Sequence, residues 1–135
     1  MNKWKKAALG VVATLGICSI AFVGGLMYLF QGMCGNYIHK TITSPEATLK
    51  AVIFQRDCGA TTGFSTQISI LSATEKLSND SGNIFSSDGH PDDSAPEVSW
   101  VSEDELSINK RDTVQVYNQE TSWGWVWNKV KISYK

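Results

Sequence analysis

The sequence predicts a mainly β protein, in which one N-terminal transmembrane helix is followed by a small antiparallel β meander, sandwich or half-barrel. Two observations predict this fold class. Residues 7–30 form an apolar run without a charged side chain, and after residue 36 apolar and polar residues alternate with the period of half-buried strands. The chain has 135 residues, so residues 31–135 leave room for one small domain and exclude a two-domain enzyme.

The apolar run at 7–30 has the length of a membrane anchor. A helix of 24 residues is about 36 Å long, and the hydrocarbon core of a bilayer is about 30 Å thick. The run exceeds the apolar region of a typical signal peptide, which favours an uncleaved anchor over a cleaved one. Three lysines lie within residues 1–6, and the next basic residue is Lys40. The positive-inside bias therefore predicts a cytoplasmic N-terminus and an extracytoplasmic domain at 31–135.

This topology predicts the environment of each of the three cysteines. Cys18 lies in the apolar run, whereas Cys34 and Cys58 lie in the external part. An even pair in an oxidising compartment predicts a disulfide. Two alternatives stay open at this point: a pair of free thiols, and lipidation of Cys34, which follows the apolar run.

The external domain alternates short apolar strands with turn residues. The predicted strands cover residues 37–42, 49–54, 66–70, 98–101, 106–108, 114–117 and 126–134. Turns every 8–12 residues are typical of antiparallel β folds. Residues 72–96 are polar and rich in turn formers, and they predict a flexible loop.

The segment around Cys58 combines glycines with hydroxyl side chains. Glycines permit backbone N–H groups to converge on an anion, and Thr61, Thr62 and Ser65 could add hydrogen bonds. The same residues also suit a loop that only satisfies its own backbone. Ser65 or Thr62 with His39 is the one catalytic pair the sequence offers, and no catalytic residue, metal site or cofactor is predicted. Asp88, His90, Asp92 and Asp93 are interpreted as a solvated acidic loop rather than a cation site.

Tryptophans are concentrated near the C-terminus. If residues 126–134 continue a strand from Trp123, then Trp123, Trp125 and Trp127 share one face with lysines, and Val126 points into the core. Such a face predicts a binding platform for a protein, a glycan strand or lipid headgroups. The alternative is a strand buried on both sides, or Trp123 in a turn.

Charge argues against a nucleic-acid partner. Twelve Lys and Arg face thirteen Asp and Glu, and three lysines precede the apolar run, which leaves nine against thirteen in residues 31–135. A domain with a charge of −4 has no electrostatic reason to bind phosphate backbones.

Parts of the external domain resemble a family of small bacterial envelope proteins whose function is not established. The resemblance is carried by residues 34–36 (CGN), 44–45 (SP) and 50–71 (KAVIFQRDCGATTGFSTQISIL), and more weakly by residues 82–85 and 96–100. It implies a bacterial, membrane-tethered origin and brings no catalytic residues. The tryptophan-rich C-terminus departs from the family pattern.

Together these features predict a single-pass protein of the bacterial inner membrane that acts as a non-enzymatic binding module. Residues 7–30 would contact membrane lipid, and the domain would bind a protein or another envelope component, in the manner of an immunity or exclusion protein. Two alternatives stay open: a small envelope hydrolase or transferase that uses the Cys58–Ser65 loop, and a structural module that contacts lipid or glycan.

Overall fold

The computed structural model describes residues 1–31, 33–59 and 63–135. The described chain forms two compact units, Met1–Met33 and Cys34–Lys135. The first unit contains one helix and the second, the β-domain, contains the strands. Each unit is considered by itself.

Helix α1 covers Lys3–Gln31 and begins four residues before the predicted apolar run. Its portion Lys3–Phe30 contains an 18-residue stretch with a mean hydropathy of 2.2 and is long and apolar enough to cross a membrane, a property that an anchor and a signal sequence share. Two hydroxyls inside the apolar run are satisfied by the helix itself, since Thr14 donates to the Gly10 carbonyl at 2.9 Å and Ser19 to the Leu15 carbonyl at 2.8 Å. Such internal bonds remove the cost of placing a hydroxyl in an apolar environment.

The β-domain has more strands than the sequence predicts, and they form two sheets. In the described residues the elements are β1 (Gly35–Thr43), β2 (Leu49–Asp57), β3 (Phe64–Ser72), β4 (Phe85–Asp88), α2 (Pro91–Ser94), β5 (Glu97–Ser102), β6 (Glu105–Asn109), β7 (Val116–Gln119), β8 (Ser122–Trp123) and β9 (Val130–Tyr134). One sheet has the order β1-β2-β3-β4-β7 and the other has the order β5-β6-β9-β8. The mainly β fold with one N-terminal helix is therefore confirmed.

Pairing is antiparallel except between β6 and β9, which run parallel. The sequence pattern predicts antiparallel pairs throughout, and the β6–β9 pair departs from this prediction. A parallel pair requires a long crossover between its strands, and residues 110–129, which include β7 and β8, supply one. Alternation within each strand does not reveal this arrangement, because both kinds of pairing alternate side chains in the same way.

The core lies between the two sheets. Residues from β2, β3 and β4 pack with residues from β6 and β9, and these side chains are nearly inaccessible to solvent: Ala51, Ile53, Ile68, Ile70, Ile84, Phe85, Leu106, Ile108, Val130 and Ile132. The opposite face of the β2–β3 pair is buried as well. There Val52, Phe54 and Leu71 pack together with the partly buried Leu77. Strand β2 is therefore covered on both sides.

The polar stretch 72–96, predicted as a flexible loop, contains β4 and α2, and polar side chains join it to the sheet. The Asn83 amide pairs with both the N–H and the C=O of Ile70, each at 2.9 Å. The side-chain oxygen Oε1 of Gln67 accepts a hydrogen bond from the Gly82 N–H at 2.6 Å. A Cβ atom at Gly82 would lie 2.8 Å from two backbone oxygens, so only glycine permits this approach. Composition alone suggests a solvated loop, because it does not show that these polar side chains bind backbone groups of the domain instead of water.

Candidate functional site

Cys34 and Cys58 form the predicted disulfide. The register of the β1–β2 hairpin brings the two cysteines together, because Gly35 lies opposite Asp57 and the cysteines are the next residues outward. The bridge therefore closes the end of the hairpin that is remote from its turn at residues 44–48. Among the described residues Cys18, on α1, is the free cysteine. A cysteine held in a disulfide has no thiolate, so Cys58 cannot act as a nucleophile in this state.

The loop after Cys58 is described only in part. Thr61 and Thr62, two of the predicted anion-binding residues, lie outside the described residues. The third, Ser65, donates its hydroxyl to the Arg56 carbonyl at 3.3 Å and accepts from the Gln67 amide at 3.0 Å. Its hydroxyl is therefore used within the sheet.

His39 contacts Asp92 rather than Ser65. Its Nδ1 lies 3.3 Å from a carboxylate oxygen of Asp92, and His90 Nδ1 lies 3.5 Å from the other oxygen. His90 also caps α2, because its Nδ1 accepts the Asp92 N–H at 3.2 Å. No hydrogen bond in the described part of the chain joins His39 to Ser65, and no group of three or more His, Cys, Asp or Glu among these residues is arranged to hold a metal ion.

The three C-terminal tryptophans do not share the face of one strand, so this part of the prediction is wrong. Strand β9 begins at Val130, and Trp123 alone lies in a strand, β8, where it is partly buried against the core. Trp125 is 81% exposed, Val126 83% and Trp127 95%. Val126, predicted to face the core, therefore faces solvent together with its two neighbours.

Local geometry explains why the chain turns here. Gly124 has φ 92°, and a Cβ at this position would lie 2.5 Å from the Asn128 carbonyl oxygen. The Asn128 side chain accepts the Trp125 N–H at 3.1 Å, and the Asn128 N–H donates to the Trp125 carbonyl at 3.0 Å. Glycine and asparagine are the residue types expected in such a turn. Residues 124–129, which we call the Trp loop, thus present two indoles and a valine on a hydrogen-bonded turn.

A cleft of about 530 Å³ lies beside the Trp loop. It is bordered by the β1–β2 turn, the β5–β6 turn and the loop itself. The side chains that line it include Thr48, Leu49, Glu103, Asp104, Trp127 and Lys129. The cleft is open and combines the Trp127 indole and apolar side chains such as Leu49 with hydroxyl and charged groups. Concave sites in which a few polar groups lie beside apolar and aromatic side chains are typical binding sites.

Glu103 holds the two turns together. Its carboxylate accepts hydrogen bonds from the Ser44 hydroxyl at 2.8 Å, from the Glu46 N–H at 2.9 Å and from the Thr48 hydroxyl. The Thr48 hydroxyl, and then the Glu46 N–H and Ser44 hydroxyl, lower the pKa of Glu103 below its ordinary value and outweigh the opposing effect of desolvation. The sequence does not reveal this role of Glu103, because its partners lie 55 to 59 residues away and no local spacing joins them.

Because the folded state lowers the pKa of Glu103, its carboxylate stabilises the domain above the unfolded pKa, near 4.5, and this contribution is lost as the pH falls through the folded pKa. We expect Glu103→Gln to lower the urea midpoint at pH 7. We also expect the midpoint of this variant to fall less than that of wild type between about pH 5 and about pH 3, a range that brackets the titration of a carboxyl group. Urea unfolding across this range measures both effects. Glu46→Gln is the matched control, since Glu46 contributes its backbone N–H to the contact. Equal acid sensitivity of wild type and Glu103→Gln would contradict the assignment.

Comparison of the chain with protein families, with curated proteins and with solved structures finds no match. The resemblance to bacterial envelope proteins therefore stays a prediction, and the functional argument depends on the geometry of the Trp loop and its cleft.

Proposed function

We propose that the protein is a single-pass protein of a bacterial inner membrane that holds a non-enzymatic binding domain on the extracytoplasmic side. The domain binds a protein or another envelope component through the Trp loop. The observation that carries this proposal is the exposure of Trp125, Val126 and Trp127, at 81%, 83% and 95%, on one short turn.

Two features support the membrane topology. Helix α1 is long and apolar enough to span a bilayer. Three lysines lie near its N-terminal end, and the lysine-rich end of a membrane helix usually faces the cytoplasm. The Cys34–Cys58 disulfide fits an oxidising compartment on the other side.

Three features support binding rather than catalysis. Exposed indoles two residues apart are costly to leave in water and are typical anchors of binding sites. The loop that carries them is closed by the hydrogen bonds of Asn128, so little conformational freedom is lost when a ligand docks. Of the residues on which the enzyme hypothesis relies, Cys58 is held in the disulfide, the Ser65 hydroxyl is hydrogen-bonded within the sheet and His39 contacts Asp92, whereas Thr62 lies outside the described residues.

Co-sedimentation tests this function. The full-length chain in detergent micelles is expected to sediment with washed bacterial envelope fragments. Trp127→Ala is expected to weaken this association roughly tenfold, as removal of an aromatic anchor does, and the double change with Trp125→Ala is expected to abolish it. Tyr37→Ala, which removes another exposed aromatic ring, is the control. If the double variant sediments as well as wild type, the Trp loop is not the binding site.

A further inference from the structure

A second cleft adjoins the one beside the Trp loop. The second cleft, of about 380 Å³, is lined by Thr121, Ser122 and Lys131 together with Asp104 and Lys129, which also line the first. We call the two adjacent clefts together the Asp104 groove. Trp127 lines the first cleft, and Ser122 of β8 lines the second.

Charge in the Asp104 groove is balanced. Its lining has two carboxylates, those of Glu103 and Asp104, and two ammonium groups, those of Lys129 and Lys131. The Lys131 ammonium also lies 3.9 Å from Glu105, which is outside the lining. A groove with this composition has no preference for a ligand of either sign. The remaining polar lining consists of the hydroxyls of Thr48, Thr121 and Ser122 and the amide of Asn128. Hydroxyl groups such as those of Thr121 and Ser122 both donate and accept hydrogen bonds. The Thr48 hydroxyl already donates to Glu103 and the Asn128 oxygen accepts from Trp125, so Thr48 is left to accept and the Asn128 NH₂ to donate.

We infer that the Asp104 groove binds a linear, uncharged saccharide chain, an inference that rests on the proposed function. A sugar ring has a flat face of C–H groups that packs on an indole, and a rim of hydroxyls that pairs with carboxylate, amide and hydroxyl groups. Trp127 supplies an indole in the first cleft, and polar groups line both clefts. Two adjacent clefts fit consecutive sugars of a chain rather than a single one.

Two other ligand classes fit this surface less well. An extended peptide binds by adding a strand to an exposed sheet edge, and β8, beside the groove, offers only the two residues Ser122–Trp123. A lipid surface is a poor match as well, because charged, hydroxyl and amide side chains form most of the lining of both clefts.

Binding of labelled oligosaccharides to the full-length chain tests the inference. The chain is held in a zwitterionic detergent, because detergents with sugar headgroups would compete. Fluorescence anisotropy is measured with labelled β-1,4-linked oligosaccharides of glucose and of N-acetylglucosamine, from the monosaccharide to the hexasaccharide. Affinity for at least one series is expected to rise with chain length and then to level off.

Variants locate the site. Trp127→Ala is expected to weaken binding of the longest bound oligosaccharide about tenfold. Asp104→Asn, which keeps the shape of the side chain, is expected to weaken it severalfold and to reduce the length dependence. Tyr37→Ala is expected to bind as wild type does. Urea midpoints of Trp127→Ala and wild type should agree, since Trp127 is 95% exposed.

Each contrary result has a defined meaning. If neither series binds while co-sedimentation with envelope fragments still depends on Trp125 and Trp127, the saccharide inference is wrong and the proposed function stands, with a protein or lipid as the ligand. If neither oligosaccharide binding nor co-sedimentation is found, both fail. If oligosaccharides bind equally well to wild type and Trp127→Ala, the Asp104 groove is not their site.

Discussion

Replacing Cys34 and Cys58 together by serine is expected to lower the free energy of unfolding of the β-domain by about 3.5 kcal/mol. The bridge joins residues separated by 24 positions, and it restricts the unfolded chain by closing that loop. A small domain has a total stability of roughly 5–15 kcal/mol, so the loss is a large part of it. Because β1 pairs with β2 alone in its sheet, the bridge also secures an edge strand.

Urea unfolding of the full-length chain in micelles, followed by tryptophan fluorescence, measures this effect. Cys18→Ser is the matched control, since Cys18 is the free cysteine among the described residues and lies on α1. Its midpoint is expected to equal that of wild type, and reduction of wild type is expected to reproduce the double variant. A double variant as stable as wild type would show that the bridge does not constrain the unfolded domain.

Leu106→Ala is expected to lower the free energy of unfolding by about 3 kcal/mol. Leu106 has no exposed surface, lies opposite Trp100 on β5 and Ile132 on β9, and belongs to the core between the sheets. Removing most of its side chain leaves a cavity that neighbours in two rigid sheets fill only in part.

The same urea experiment tests this expectation. Val101→Ala on β5 is the control, because Val101 is 62% exposed, and we expect it to change the free energy by less than about 0.5 kcal/mol. Similar losses in both variants would contradict the assignment of Leu106 to the core. A normal slope of free energy against urea would confirm that Leu106→Ala unfolds in one cooperative step.

Local signals in the sequence predict much of this fold. The helix follows from an uninterrupted apolar run, and the hairpin of β1 and β2 follows from alternation on either side of a turn that contains Ser44 and Pro45. The disulfide follows from cysteine number and topology. Each of these features depends on residues close together in sequence or on a simple count, which is why they could be found without a structure.

The candidate site could not be predicted in the same way. Alternation predicts that the last strand already includes Trp125 and Trp127. In the structure the chain turns where Gly124 approaches Asn128, and the strand begins only at Val130. Asp104 reaches the Trp loop only because β6 pairs with β9, across a long crossover. Contacts of this kind depend on tertiary structure, and the spacing of residues in the sequence does not predict them.

The disulfide also determines how the β-domain bears mechanical load. Any pull transmitted along the chain from α1 reaches the domain at Cys34, the first residue before an edge strand. Without a bridge, such a force would peel β1 from β2 one hydrogen bond at a time. The covalent link passes the force to Cys58 at the end of β2, a strand that is paired on both sides and buried on both faces. A force that enters the β-domain at Cys34 and leaves it near the turn at residues 44–48 would run along the strands of this hairpin and would load their hydrogen bonds together.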